Sequence, residues 1–172
     1  KGLLKSAVRD DGPVVFIEHR GLYWSKAPVP EGEHLVPLGR ASIVRPGDQL
    51  TIIAIANMVG PALAAAQELA ADGAGVEVID PRTVSPLDME TIVNSAKKTG
   101  RVVVVHEAVE QGGIGAEIAA RVQQQAFYYL DSPILRVAAP FAPVPASPAL
   151  EKAFLPGKDQ IIRAARQLLH KE

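Results

Sequence analysis

The sequence predicts an α/β domain, a mostly parallel sheet with helices on both faces in a three-layer arrangement. Three observations carry this. Short apolar runs alternate with segments of helical periodicity, with brief loops between them. The runs Leu50-Thr51-Ile52-Ile53-Ala54-Ile55 and Arg101–His106, the latter with four consecutive valines, are apolar on both faces, as strands of a covered parallel sheet are. The composition, 48% apolar and 22% charged, is that of a globular chain able to bury a core.

The elements follow in order. Residues 1–9 place Leu3, Leu4, Ala7 and Val8 on one helical face, and Asp10-Asp11-Gly12-Pro13 ends that helix. Val14-Val15-Phe16-Ile17 reads as a short strand buried on both sides. From His19 to Arg45 the chain is polar and carries Pro28, Pro30 and Pro37 among several glycines, which predicts a linker followed by edge structure. A domain boundary is expected at residues 30–37, giving units of 1–35 and 36–172. Then come a strand at 50–55, an alanine-rich helix at 59–71 closed by Gly73 and Gly75, and a strand at Val76–Asp80. A helix at 88–97, capped by Asp88 or Ser85, precedes the valine strand. A helix at 114–125, a strand at 134–137 and a helix at 160–169 complete the pattern. Pro140, Pro143, Pro145 and Pro148 define an extended surface strap, with Phe141 and Val144 as contact side chains.

Composition also excludes functions. Eighteen basic against nineteen acidic residues leave no cationic excess for nucleic acid or an anionic membrane. No apolar run approaches the roughly 20 residues of a membrane span. Without cysteine there is no disulfide, thiolate metal site or cysteine nucleophile. A cytoplasmic or mitochondrial-matrix setting is expected. The chain opens at Lys1 within a helical pattern and without methionine, so it reads as a piece of a longer protein.

The motifs do not assemble a complete active site. Gly112-Gly113-Ile114-Gly115 lies between strand and helix, where a phosphate could sit, but Ile118 stands where a third glycine would fall. A tight turn is the better reading. His106-Glu107 ends the valine strand, yet neighbours on a strand face opposite ways and do not form a couple. His19, His34 and His170 have no metal-ligand spacing. In Asp80-Pro81-Arg82-Thr83 the aspartate is expected to fix the turn.

Taken in series, several segments carry a resemblance: Lys1-Gly2-Leu3-Leu4-Lys5-Ser6-Ala7-Val8-Arg9-Asp10, Pro13-Val14-Val15-Phe16-Ile17-Glu18, Val36-Pro37-Leu38-Gly39, Val78-Ile79-Asp80-Pro81-Arg82-Thr83, His106-Glu107-Ala108 and Gly112-Gly113-Ile114-Gly115-Ala116-Glu117-Ile118. The ordered set resembles the β subunit of the thiamine-diphosphate-dependent 2-oxoacid dehydrogenases, which act on pyruvate, branched-chain 2-oxo acids or acetoin. The resemblance implies the end of a pyrimidine-binding domain over residues 1–35 and a transketolase-type carboxyl-terminal domain over 36–172. It implies a role in assembly and in docking to the acyltransferase core, with no catalytic or cofactor-binding residue on this chain. Thiamine diphosphate and magnesium would belong to the intact enzyme, whose catalytic histidine and cofactor-activating acid lie upstream. The implied partners are an α subunit, a second β subunit and the subunit-binding domain of the acyltransferase core.

The resemblance further implies a partial structural potassium site at Ala7, Val8, Asp10 and Gly12, acting mainly through backbone carbonyls. It makes Asp131, Phe141 and Glu172 candidate partner contacts. Two other readings remain: the carboxyl-terminal domain of a transketolase or deoxyxylulose-phosphate synthase, and a free-standing flavodoxin-like nucleotide-binding module. The first calls for basic residues at the strand ends, the second for a phosphate loop after the strand at 50–55, where Ala56-Asn57-Met58-Val59-Gly60 is a poor one.

Overall fold

The computed structural model describes residues 1–170. Helix α1 (Gly2–Val8) leads into an extended segment broken by a single 3₁₀ turn at Arg20–Leu22. The α/β unit follows as β1 (Ser42–Arg45), β2 (Leu50–Ala54), α2 (Val59–Ala71), β3 (Val76–Asp80), α3 (Met89–Thr99), β4 (Val102–Val109), α4 (Ile114–Ala126), β5 (Leu135–Ala139), α5 (Pro148–Phe154) and α6 (Lys158–His170). The strands form one sheet in the order β1-β3-β2-β4-β5. All neighbours are parallel except β1, which runs antiparallel along β3 at the edge.

The two-residue alternation of a strand divides the core into two layers. Leu50, Ile52 and Ala54 of β2, with Val103 and Val105 of β4, pack with Ala62, Ala65, Ala66 and Leu69 of α2 and Ile161, Ala165 and Leu168 of α6. Ile53, Val102 and Val104 point the other way, toward Ile92, Val93 and Ala96 of α3 and Ile118 and Val122 of α4. Helices therefore cover both faces, as the doubly apolar runs predict. The small side chains of α2 let it lie close to the sheet. A buried polar chain crosses the α3 layer: Thr51 Oγ1 lies 2.6 Å from Ser95 Oγ and 2.8 Å from Thr99 Oγ1, and Ser95 donates to Glu77. Glu77, fully buried on β3, is also paired with Lys98, so the carboxylate is not left alone in the core.

Caps set the ends of α3. The Asp88 carboxylate accepts from the Thr91 amide at 3.1 Å, from the Thr91 hydroxyl at 2.8 Å, and from the Ala41 amide at 2.9 Å. It thus caps α3 and holds the approach to β1 with one side chain. Gly100, at φ 68°, ends the helix in the left-handed conformation.

Two expectations fail. Residues 14–17 form no strand: Val15 and Ile17 are 85% and 84% exposed, and none of the five strands pairs with them. The run has strand composition but no ladder partner among the described residues, and a lone strand leaves its amides to water. The strap at 140–148 is extended only in its first part, because its last proline opens α5. Ser147 stands at the N-cap and Pro148 at the first position, where a missing N–H costs nothing. Ser147-Pro148 is itself a helix-start signal, set among prolines that otherwise favour extension.

Asp88→Ala should lower stability by about 2 kcal/mol, through loss of a cap and of the tie to Ala41. Burial pushes the Asp88 carboxyl up, but the Ala41 and Thr91 amides and the Thr91 hydroxyl outweigh it and hold it below the ordinary carboxylate range. The contribution is therefore complete above about pH 4 and fades as the pH falls through the lowered value. Urea titrations of both forms at neutral and acid pH should converge as the acid removes what the alanine already lacks.

Candidate functional site

In open parallel sheets ligands meet the carboxyl ends of strands where the chain order reverses. Here the chain passes from β2 outward to β3 and returns to the other side of β2 for β4. The crevice between the ends of β2 and β4 is therefore the site that the topology creates. On the β2 side it is walled by the turn Ala56–Met58, which begins with Ala56 at φ 52° and presents Asn57. On the β4 side it is walled by His106 and Glu107, where the register with β5 shifts between Val105 and Val109.

His106 and Glu107 diverge, as strand alternation requires. The His106 ring is buried beneath the turn leading into α4, with Nδ1 3.0 Å from the Ala108 carbonyl oxygen. Nδ1 then carries the proton, and the buried Nε2 has no hydrogen-bond partner. Burial, ahead of the opposing pull of the Ala108 carbonyl, holds the imidazole below the usual histidine range. A Cβ at Gly115 would come within 2.2 Å of His106 Nε2, and one at Gly113 within 2.7 Å of Cε1. Gly113 and Gly115 of the turn are thus what seat the imidazole.

Glu107 faces the crevice. Its Oε1 accepts from Asn57 Nδ2 at 3.1 Å, and its Oε2 lies 2.8 Å from His19 Nε2. The crevice is occupied by a side chain from the linker. Sequence reading missed this trio, because His19 is far away in the chain and no local spacing announces the pairing.

A second feature lies at the ends of β4 and β5, an open cavity of about 400 Å³ lined by Glu110, Gln111, Gly112, Ala116, Arg136 and Phe141. Arg136 donates to the Glu110 carbonyl at 2.6 Å and lies 3.3 Å from its carboxylate, so its charge is already matched. Phe141, one of the expected contact residues, stands 69% exposed at the rim. Asp131 is half-exposed and lies 3.4 Å from Arg101, while its amide donates to the Gly100 carbonyl at 2.8 Å. It serves the turn between α4 and β5, whatever else it does. Glu172 lies outside the described residues.

The expected cation ligands sit at the carboxyl end of α1. The Ala7 carbonyl accepts from the Asp10 amide at 3.4 Å, and the Asp10 carboxylate accepts from the Gly12 amide at 2.9 Å; the Val8 side chain is exposed. Among the described residues, no three His, Cys, Asp or Glu side chains converge as metal ligands. Asp80 fixes its turn as expected, accepting from the Arg82 amide at 3.0 Å with Arg82 at φ 59°; burial pushes its carboxyl above the usual range.

Gly115→Ala would raise helix propensity by roughly 1 kcal/mol in an unhindered helix. Against the His106 ring it should instead lower stability by about 2 kcal/mol or more. A double-mutant cycle with His106→Ala, read by chemical denaturation, should show strong coupling, with the double variant less damaged than the sum.

The sequence pattern of the family described as "Transketolase, C-terminal domain" matches residues 39–161. The chain is 48% identical over 98% of its length to the pyruvate dehydrogenase E1 component subunit beta of Bacillus subtilis, of which it covers 52%. It is 47% identical, again over 98% of its length, to the acetoin:2,6-dichlorophenolindophenol oxidoreductase subunit beta of Cupriavidus necator, of which it covers 50%. The chain thus spans about half the length of these curated relatives. Among solved structures, a split-gene transketolase described as an inactive beta4 tetramer superposes with TM-score 0.71 at 28% identity, over 79% of this chain and 44% of that one. Fold, family pattern and relatives agree: this chain belongs to the transketolase carboxyl-terminal domain family, and it is similar over nearly its whole length to the β subunits of pyruvate and acetoin dehydrogenases.

Proposed function

We propose that this chain is the carboxyl-terminal portion of the β subunit of a 2-oxoacid dehydrogenase. The observation that carries the reading is 47–48% identity running through 98% of the chain, from α1 and the linker as well as the sheet domain, into two such subunits. In the intact assembly the reaction would be oxidative decarboxylation of a 2-oxo acid on thiamine diphosphate, with transfer of the acyl group to lipoamide. In this reading residues 1–35 end the pyrimidine-binding domain and 36–172 form the assembly domain. That domain meets an α subunit and a second β subunit, and docks the subunit-binding domain of the acyltransferase core. Asp131, Phe141 and Glu172 are the proposed contacts. The setting is the bacterial cytoplasm or the mitochondrial matrix; no described helix is long and apolar enough to cross a membrane.

Thiamine diphosphate and magnesium do not fit the residues at hand. The glycine turn that would take a diphosphate is packed on His106, and Arg136 is held by Glu110. The chemistry belongs to the remainder of the assembly, and the work of these residues is positional. A structural potassium suits the end of α1 better: the 3.4 Å bond to the Ala7 carbonyl is weak, and that oxygen and the Val8, Asp10 and Gly12 carbonyls are the proposed ligands. The likeness to a split-gene transketolase favours, as a second reading, the corresponding part of that enzyme. A sugar-phosphate enzyme calls for free cations at the strand ends, and the Arg136–Glu110 pair argues against it.

Mixing the chain with the α subunit of such a dehydrogenase should give a heteromeric species in sedimentation velocity, and Phe141→Ala should reduce its mass. An unchanged mass for Phe141→Ala would remove Phe141 from the interface. In a thermal-shift panel on the chain alone, FMN, NAD and thiamine diphosphate with magnesium should leave Tm unmoved, and potassium should raise it relative to sodium. A clear rise with FMN or NAD would overturn the assignment in favour of a nucleotide-binding module.

A further inference from the structure

The switch-point crevice holds more than a surface ion pair. Residues 1–35 are tied among themselves: Lys1 donates to the Pro30 carbonyl, Lys5 and Arg9 pair with Glu33, and Tyr23 donates to Glu18 at 2.9 Å. Gly2 lies close against Val36 and His34, where a Cβ would come within 2.5 Å of Val36 Cγ2. Among the described residues, every side-chain hydrogen bond or ion pair of residues 1–35 stays within that segment, apart from His19 with Glu107. Among the described residues, a single imidazole makes the side-chain polar connection from residues 1–35 to the sheet domain.

The geometry around it is specific on both sides. Glu107 is held from the far side by Asn57 at 3.1 Å, so its second oxygen is aimed rather than free to rotate. His19 is presented by a short closed loop, in which the Leu22 amide donates to the His19 carbonyl at 2.9 Å and Tyr23 returns to Glu18. Gly21 lies against the imidazole, and a Cβ there would come within 3.0 Å of His19 Cε1. Its Nδ1 is buried without a partner, while the side chain as a whole is 32% exposed, so one edge of the ring faces the protein and part of it faces water. Ala56 at φ 52° opens the turn that delivers Asn57, and an unfavourable backbone at a strand end is where binding sites store strain.

We propose that the crevice between the ends of β2 and β4 is a binding site for an N–H-bearing imidazole or cation, built by Glu107 and Asn57 and filled in cis by His19. It latches the linker, and with it everything attached to residues 1–35, onto the sheet domain. This rests on the fold and the contacts, independently of the dehydrogenase reading. The occupant is the chain's own imidazole: donor faces carboxylate at 2.8 Å, and both groups are mostly shielded from water. A charge-assisted bond in that setting makes undocking about tenfold rarer than it would be without it.

Limited trypsin digestion reads the latch directly, because Arg20 adjoins His19 and Lys26 lies in the same linker. On the 172-residue chain, His19→Ala and Glu107→Ala should each speed cleavage at Arg20 and Lys26 about tenfold, and the double variant should be no faster than either single one. Asn57→Ala should give a smaller increase. Far-UV circular dichroism shows whether each variant keeps the sheet domain. Free imidazole supplies the second readout: it should raise the Tm of His19→Ala and leave that of the His19→Ala/Glu107→Ala double variant unchanged. Cleavage at the wild-type rate in both single variants, or an equal imidazole response with and without Glu107, would overturn the proposal.

Discussion

Strands β2 and β4 run side by side at the centre of the sheet with Leu50, Ile52, Ile53, Val102, Val103, Val104 and Val105 all fully buried, so neither face of the pair can meet water. That constraint organises the rest. Two parallel strands buried on both sides need crossover connections, and the crossovers supply the covering layers, α2 with α6 on one face and α3 with α4 on the other. The edges carry less. β1 is short, antiparallel and half-exposed, and β5 is only partly buried. The one acid deep in the sheet, Glu77, is there on condition of its bonds to Ser95 and Lys98, which belong to the α3 layer.

The same pair of strands creates the crevice. Because the chain leaves β2 on one side and returns on the other, their carboxyl ends part company and no crossover fills the space. Asn57 and Glu107 arrive there as the residues just past the ends of buried apolar runs, where the core stops and polar side chains are free to face outward. His106 and Glu107 divide the labour of one strand end. The first is swallowed under the α4 turn, which two glycines make thin enough to receive it, and the second is left to bind.

Much of this was legible in the sequence, and the reasons separate cleanly. The bounds of α2 and β3 follow from local patterns alone, since a doubly apolar run, a helical stripe and a glycine stop are written in consecutive residues. The α3 cap is legible for the same reason: Asp88 sits just ahead of the helix that it caps. The start of α5 was equally local, and the proline density around it concealed a Ser-Pro helix start. What could not be read was long-range. The glycine turn reads locally as a tight turn, but its partner, the His106 ring, is known only once β4 and α4 are packed. The bond between His19 and Glu107 has no signature in either neighbourhood, since it is fixed by where the linker crosses the sheet.

Residues 14–17 show why a local pattern can be correct and still fail. Val-Val-Phe-Ile has the composition of a covered strand, and burying Val15 and Ile17 would stabilise the fold by about 1.5–3 kcal/mol each. In the structure both are almost bare, because none of the five strands of the sheet pairs with them. Apolar burial therefore cannot be what places this segment. Polar contacts on either side do so: Lys5 and Arg9 with Glu33 tie α1 to the linker, and His19 with Glu107 ties the linker to the domain. In the proposed β subunit the cover for residues 14–17 would be the rest of the pyrimidine-binding domain, and the orientation of that domain would then be transmitted through the short span from Glu18 to Tyr23. Position in the assembly would depend on one carboxylate at the end of β4, the same strand whose valines hold the core together.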